Sequence, residues 1–153
     1  MLSNVISDKI SFMKYLLDTC IIVAALRSKQ GASHLLLRKA ISGELPIVMH
    51  FKLLAEYRDV LMRPSIQDEL VFNQQEIEEI LGGLCSIAEE SNIRFLWRPN
   101  LKDEGDNFLI EIAFTFQPCT IITHNVKDFR GGELLLPHVF VKRPQEILLE
   151  YSI

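Results

Sequence analysis

Short apolar segments alternate with helix-like segments along the whole chain. Residues 15–17, 46–50 and 119–123 are short, apolar and partly β-branched, as buried strands usually are. The segments between them carry apolar residues at the spacing of an α-helix. Nearly continuous apolar strands joined by helices are typical of a parallel sheet with helices on both faces. We therefore predict an α/β fold: a three-layer α/β/α arrangement around a central, mainly parallel sheet of short strands.

The rest of the chain continues this alternation within the length of one domain. The chain has 153 residues, which is an ordinary size for a single domain. We predict an N-terminal extension over residues 1–13 and one domain over residues 14–153. The predicted elements are helices over 21–28, 32–42, 51–62, 107–116 and 144–151, two or three packed helices over 65–91, further strands over 93–98 and 138–142, a turn over 102–106 and a loop over 124–132.

Composition and charge argue against several classes of protein. Hydrophobic residues make up 48% of the chain and charged residues 24%, which is ordinary for a globular domain and argues against disorder. The formal net charge of −4 argues against a surface covered in positive charge, although a local basic rim is enough to steer a polyanion. No apolar run approaches the roughly 20 residues that a membrane helix needs. We expect no membrane partner.

Cysteine usage points to a reducing compartment. Cys20, Cys85 and Cys119 are an odd number, lie far apart and form no CxxC pair. The N-terminus also lacks the basic and apolar regions of a signal peptide. We therefore predict reduced cysteines in a cytoplasmic protein.

Acidic side chains follow the predicted strands or begin the helices that come next. Because the carboxyl ends of parallel strands meet at one edge of a sheet, we expect these acids to lie close together. Carboxylates that share a site repel one another unless a cation is present, and their hard oxygens suit Mg²⁺ or Mn²⁺. The four histidines lack the spacing of zinc ligands. The acids are Asp18 after the first strand, Glu56 beside the apolar face of the 51–62 helix, Asp103 and Asp106 before the 107–116 helix, and Asp128 after the 119–123 strand.

Each acid also has a structural interpretation that the local sequence leaves open. Asp18, Asp103 or Asp106 could cap a helix, since Asp is among the best N-cap residues. Glu56 could be a solvated helix side chain. Asp128 could form an Asx turn in its loop.

Four segments in this order resemble the acidic motifs of PIN-domain ribonucleases, most closely the VapC-like branch, the toxin components of toxin–antitoxin modules. The resemblance covers nearly all of residues 14–150. It implies a PIN-like fold and a catalytic quartet of Asp18, Glu56, Asp106 and Asp128, supported by Thr123 and Asn125. The segments are YLLDTCII at 15–22, AEY at 55–57, DNFLIEIA at 106–113 and IITHNVKDF at 121–129.

Two positions depart from the family pattern. After LDT the family usually has a small polar residue that helps to orient the aspartate, and this chain has Cys20. The third motif is preceded by a second acid, so Asp103 competes with Asp106 for the metal. We prefer Asp106, because it begins the inward-facing stripe of its helix.

The resemblance implies hydrolysis of RNA phosphodiester bonds with bound Mg²⁺ or Mn²⁺. Asp18, Asp106 and Asp128 would hold one or two metal ions that lower the pKa of a bound water and offset the phosphate charge. Glu56 would position that water or take its proton. The partners implied are RNA, a cognate antitoxin and a second copy of the chain in a homodimer.

Basic residues beside the acidic motifs predict a rim that contacts phosphates, although each is also an ordinary surface charge. The predicted RNA-binding residues are Arg27, Lys52, Arg58 and Lys127, and Lys29 and Arg130 lie near them in the sequence.

Three other functions stay open on the sequence alone. A PIN-like scaffold with weak catalysis could act through protein binding, although none of the four acids is missing. A phosphatase of the haloacid-dehalogenase type would need DxD after the first strand, whereas position 20 is Cys. A nucleotide-binding α/β module would need a glycine-rich loop after a strand, and none occurs.

Overall fold

The computed structural model describes residues 13–90, 104–129 and 136–151 of the chain. The predicted strand over 93–98, Asp103, Arg130 and residues 1–12 lie outside these ranges. The strands are β1 (Lys14–Leu17), β2 (Val48–Met49), β3 (Glu89–Glu90), β4 (Cys119–Ile122) and β5 (Val139–Lys142). The helices are α1 (Thr19–Arg27), α2 (Ala32–Ile41), α3 (Phe51–Leu61), α4 (Pro64–Gln67), α5 (Gln74–Ile87), α6 (Glu104–Thr115) and α7 (Pro144–Tyr151), and a 3₁₀ helix (Val126–Phe129) follows β4.

The described strands all pair in parallel. β4 lies between β1 and β5, with Leu16 opposite Ile121, and β2 pairs with β3. A parallel bridge between Tyr15 and Ile47 joins the two groups of strands. The order across the sheet is therefore β3–β2–β1–β4–β5, and the carboxyl ends of all five strands lie at one edge. The predicted parallel sheet of short strands is confirmed.

Helices cover the sheet on both faces. α6 packs directly on β1, β4 and β5, whereas α1 packs against α2 and α3, and α2 also packs against α5 and α7. This is the predicted three-layer α/β/α arrangement, which is confirmed. The largest fully buried side chains come from strands and helices alike: Tyr57, Leu16, Leu17, Ile21, Ile22, Leu26, Leu36, Leu37, Leu45, Leu53, Leu61 and Ile77.

Three predicted boundaries are wrong. Residues 102–106 were expected as a turn, but α6 already begins at Glu104. The loop over 124–132 contains the 3₁₀ helix. The helical segment predicted to reach residue 91 ends earlier, because Glu89 and Glu90 pair with β2 and the Glu89 amide donates to the Ile47 carbonyl at 3.0 Å. Pairing with a buried strand outweighs the helical preference of a glutamate-rich sequence.

Membrane-spanning helices are absent from the described part of the chain, where no helix is both long and apolar enough.

Replacing Leu16 tests the central strand. Leu16 is fully buried in β1, at 0% exposure. Leu16→Ala should lower the free energy of unfolding by about 2–5 kcal/mol, because the substitution removes buried contacts and leaves a cavity. Urea denaturation measures the change. The matched control is Leu35→Ala on α2, where the side chain is 45% exposed and the expected loss is below about 1 kcal/mol. Equal losses in the two variants would contradict the position of β1 in the core.

Candidate active site

Asp18 joins the end of β1 to the start of α1. Its backbone N–H donates to the Ile122 carbonyl at 3.0 Å, which extends the pairing with β4 by one residue. Its carboxylate is half-buried and caps α1, because Oδ1 accepts the Thr19 N–H at 2.8 Å. The structural interpretation of Asp18 as a cap is therefore correct. It is compatible with chemistry, since the positive end of a helix dipole stabilises the ionised carboxylate.

Thr123 fixes the second oxygen of this carboxylate. The Thr123 hydroxyl is fully buried at the end of β4 and donates to Asp18 Oδ2 at 2.7 Å. Thr123 Oγ1 in turn accepts the Asn125 N–H at 3.1 Å. The buried Thr123 hydroxyl thus links Asp18 of the first motif to the fourth motif, and it holds the loop after β4 through the Asn125 N–H.

Cys20 provides a weaker donor to the same carboxylate. Its Sγ lies 3.5 Å from Asp18 Oδ2 and 3.6 Å from Thr123 Oγ1. Burial, followed by the negative charge of Asp18, raises the pKa of the Cys20 thiol. The thiol therefore stays protonated and can donate. The departure from the family pattern leaves Asp18 with a sulfur donor where a hydroxyl or amide is usual.

Tyr57 anchors α3 against the end of β1 and thereby brings Glu56 to the site. The Tyr57 ring is buried, and its hydroxyl donates to the Leu17 carbonyl. Burial, and then the charges of Asp18 and Glu56, hold the pKa of Tyr57 well above its usual value, so the phenol remains a donor. The neighbouring Glu56 is exposed, and its Oε2 accepts the Thr19 hydroxyl at 2.7 Å.

Thr19 therefore connects two of the predicted catalytic acids. Its backbone N–H donates to Asp18 and its hydroxyl donates to Glu56. Thr19 was not among the residues predicted from the sequence to act in the site. The LDT motif drew attention to this position. However, the bond to Glu56 joins residues 37 positions apart and depends on how α3 packs against α1.

Asp106 and Asp128 lie on two other elements, α6 and the 3₁₀ helix after β4. Asp106 lies in the first turn of α6, so it is not the N-cap, and its side chain is outside the described part of the structure. Asp128 lies in the 3₁₀ helix that follows β4, and it is exposed. Its backbone N–H donates to the Asn125 carbonyl at 3.0 Å, which closes the loop beside Thr123.

His50 holds the beginnings of α3 and α6 together. It directly follows β2 and caps α3, because its Nδ1 accepts the Lys52 N–H at 3.1 Å. The imidazole stacks on Phe51 with 4.6 Å between centroids and meets the edge of Phe108 at 5.1 Å. This role was not predicted from the sequence, since His is not a usual N-cap residue. The position of His50 between a predicted strand and a predicted helix was the one indication that it could cap α3.

The predicted RNA-binding cations differ in what they contact. Arg27 pairs with Glu69 at 2.5 Å. Arg58 makes a two-pronged contact with Glu78, with both N–O distances at 3.0 Å. Lys52 and Lys127 are exposed and have no ion pair with any residue of the described ranges. Lys29 lies over the Phe72 ring, 5.2 Å from its centroid.

The donors at this edge are carboxylate and hydroxyl oxygens, which suit a hard divalent cation better than zinc. His124 is nearby and exposed, but its Nε2 lies 3.3 Å from the Ser33 hydroxyl. Within the described ranges, no three His, Cys, Asp or Glu side chains gather into a metal site. Asp18 and Glu56 are the carboxylates that the described structure brings together at this edge, and the Asp106 side chain lies outside the described part.

A comparison with protein families gives one match. A family model described as PIN domain matches residues 14–127, from β1 into the 3₁₀ helix. The matched segment includes Asp18, Glu56 and Asp106 and ends one residue before Asp128. Neither the curated proteins nor the solved structures give a match to the chain.

Replacing Thr123 tests the bond that fixes Asp18. Thr123→Val removes a buried hydroxyl while keeping the side-chain shape. It should lower the free energy of unfolding by about 1–3 kcal/mol, because the Asn125 N–H loses its acceptor and Asp18 loses a donor. The matched control is Thr120→Val in β4, since that buried hydroxyl donates to the Met13 sulfur at 3.4 Å and has no other hydrogen bond to the described residues. Thermal and urea unfolding compare the two. A loss for Thr123→Val no larger than for Thr120→Val would contradict the assigned bonds.

Acidification tests the capping role of His50. Burial, and then the nearby Lys52, lower the pKa of His50. Since the unfolded imidazole titrates near pH 6.5, the unfolded chain binds this proton more readily than the folded chain. The stability that neutral His50 provides is therefore complete above about pH 6.5 and is lost as the pH falls towards the lowered folded pKa. The loss should have a slope of at most about 1.4 kcal/mol per pH unit.

Urea unfolding between pH 7.5 and 5 measures this dependence. His50→Asn keeps an N-cap acceptor that does not titrate, so this part of the slope should disappear. His138→Asn, at an exposed histidine, is the control and should keep the wild-type slope. If His50→Asn also keeps the wild-type slope, His50 is not the residue responsible for the pH dependence.

Proposed function

Because the chain belongs to the PIN-domain family, we propose that it is a metal-dependent endoribonuclease and the toxin of a VapC-like toxin–antitoxin module. The observation that carries the nuclease proposal is the connection of Asp18 and Glu56 through Thr19 at the carboxyl edge of the sheet. Two acids from different motifs are held together there, beside the loop that carries Asp128. Ligands bind at this edge in parallel α/β sheets.

The proposed cofactor is Mg²⁺ or Mn²⁺, held by Asp18, Asp106 and Asp128. Carboxylate oxygens are the preferred ligands of both ions. When bound, the cation supplies Lewis acidity that lowers the pKa of water and offsets the negative charge of the scissile phosphate. We retain Asp106 over Asp103 as the ligand from the third motif.

Glu56 is the proposed general base. Thr19 holds Glu56 Oε2 at 2.7 Å, so the carboxylate has a fixed orientation and Oε1 is the oxygen that takes the proton of the attacking water. Tyr57 fixes the helix behind it by bonding to the end of β1. The backbone of Glu56 and one of its carboxylate oxygens are therefore both restrained. Such positioning reduces the reorganisation that the reaction requires.

Lys52 and Lys127 are the proposed first contacts for RNA phosphates. Lys52 lies one helical turn before Glu56, on the same side of α3. Lys127 directly precedes Asp128. Arg27 and Arg58 were also predicted to bind RNA, and we propose that they do so only by exchanging Glu69 and Glu78 for phosphate.

The remaining parts of the proposal concern partners and location. We propose a cytoplasmic protein that forms a homodimer and is inhibited by an antitoxin that covers the carboxylates. The neighbouring carboxylates of Asp18 and Glu56 support this mode of inhibition, because a cationic side chain of an antitoxin could pair with them in place of a metal ion.

Replacing Asp18 tests the catalytic proposal. Asp18→Asn should reduce RNA cleavage by about 100-fold or more while the protein stays folded, since Asn is also a good N-cap residue. The assay uses a pool of single-stranded and structured RNAs with Mn²⁺, Mg²⁺ or EDTA. The control is Asp59→Asn on α3, because Asp59 pairs with Arg63 at 3.0 Å on the exposed face. This variant should cleave like the wild type.

The outcomes separate the parts of the proposal. Cleavage that persists in EDTA or in Asp18→Asn would refute the metal-dependent mechanism. Folded wild-type protein that neither cleaves RNA nor binds Mn²⁺ would favour a scaffold that acts through protein binding. Expression in bacteria tests the toxin role: wild type should arrest growth and Asp18→Asn should not.

A further inference from the structure

Phe51 is a large aromatic side chain left exposed at the functional edge of the sheet. It is the first residue of α3 and is 66% exposed, the highest value among the aromatic residues in the described ranges. Burial of such a ring is favourable, so leaving it in water forgoes stabilisation of the fold. An exposed ring near a binding site is therefore a candidate contact for a ligand.

The Phe51 ring is supported from behind. The His50 imidazole stacks against it, with 4.6 Å between centroids and 29° between planes. His50 is itself buried and meets the edge of Phe108 at 5.1 Å. The three rings thus form a short row that begins in the core and ends at Phe51 in solvent. A ring held in this way loses little conformational entropy when a second planar group stacks on it.

The ring lies among the segments that carry the proposed catalytic acids. Glu56 follows on the same helix at a rise of about 1.5 Å per residue, so the two backbone positions are about 7.5 Å apart along the axis. Phe108, at the other end of the row, is two residues after Asp106 in α6. Lys52 adjoins Phe51 and is exposed. An aromatic ring and a cation are therefore consecutive at the start of the helix that carries Glu56.

We propose that Phe51 is a base-stacking platform: an unpaired RNA base stacks on its exposed face, and Lys52 contacts a phosphate next to that base. The inference rests on the proposed nuclease function and assigns to Phe51 the contact that holds one unpaired base of the substrate. Aromatic side chains stack on any base without reading its sequence, and unpaired bases are the ones available for stacking. The adjacent positive charge matches a nucleotide, which offers both a planar ring and a phosphate.

Cleavage kinetics on a short single-stranded RNA test the platform. Phe51→Ala should raise KM about tenfold with little change in kcat, since stacking on an aromatic ring contributes substantially to the binding of each base. Phe51→Trp should restore the wild-type KM, because it keeps an aromatic face. Phe51→Leu should behave like Phe51→Ala in KM while still covering His50, which separates stacking from stability. The control is Phe140→Ala, at a phenylalanine on β5 that is 40% exposed.

An abasic scan identifies the stacked nucleotide. Each base of the RNA is removed in turn while the backbone is kept. At one position the loss of the base should raise the wild-type KM about tenfold and leave the Phe51→Ala KM unchanged, because both changes remove the same contact.

The failures of the two proposals are distinguishable. Metal-dependent cleavage by wild type, with equal KM for Phe51→Ala and Phe140→Ala, would overturn the platform and leave the nuclease standing. A KM defect in Phe51→Ala that persists at every abasic position would also overturn it and would point to a structural or protein-binding role for the ring. No cleavage by wild type with either metal would overturn both.

Discussion

The arrangement of the sheet and of the site depends on how the carboxylate of Asp18 is stabilised at the end of the buried strand β1. An unpaired carboxylate in an apolar environment costs several kcal/mol, and Asp18 directly follows the fully apolar end of β1. Donors from three directions satisfy it: the Thr19 amide, the Cys20 thiol and the Thr123 hydroxyl. Because Thr123 directly follows the neighbouring strand β4, the arrangement requires β1 and β4 to be adjacent and in register. The hydrogen bonds that Asp18 needs therefore link the order of the strands to the geometry of the site.

Around Asp18, exposed side chains of the candidate site are held in place by buried residues close to them in the sequence. Three exposed residues of the candidate site lie within two positions of a buried residue that is hydrogen-bonded to the fold. Buried Tyr57 holds Glu56, buried Thr123 holds the loop of Asn125, and buried His50 supports Phe51. Exposed side chains on a surface helix would otherwise sample several rotamers, and fixing them costs entropy. The buried partner restrains the backbone beforehand, so that less of this cost remains for binding and catalysis.

The sequence predicted the features that depend on periodicity and local residue type. The apolar strands 15–17 and 119–123, their parallel order and the position of Asp18 at a strand end all followed from alternation of strand and helix patterns. The start of α6 at Glu104 and the pairing of Glu89 with β2 did not, because both concern boundaries that tertiary contacts decide.

Within the site, the motifs indicated which acids belong together but not what holds them. The Thr19–Glu56 bond joins residues far apart in the chain, and the His50 cap uses a residue type with little preference for that position. Neither has a local signature. The pairing of Arg27 and Arg58 with glutamates was hidden for the same reason, since their partners lie on other segments.

The distribution of cations follows from the different chemistry of arginine and lysine. The guanidinium is a rigid planar fork that matches a carboxylate with two bonds, as Arg58 does with Glu78 on the neighbouring helix. Such a pair suits a fixed structural contact. The lysine ammonium is a point charge on a flexible stem, and Lys52 and Lys127 have no ion pair within the described ranges. In the proposed function, a phosphate backbone that must enter, be cut and leave would need cations that can follow it. Lys52 and Lys127 would meet that need without breaking a contact that holds the helices together.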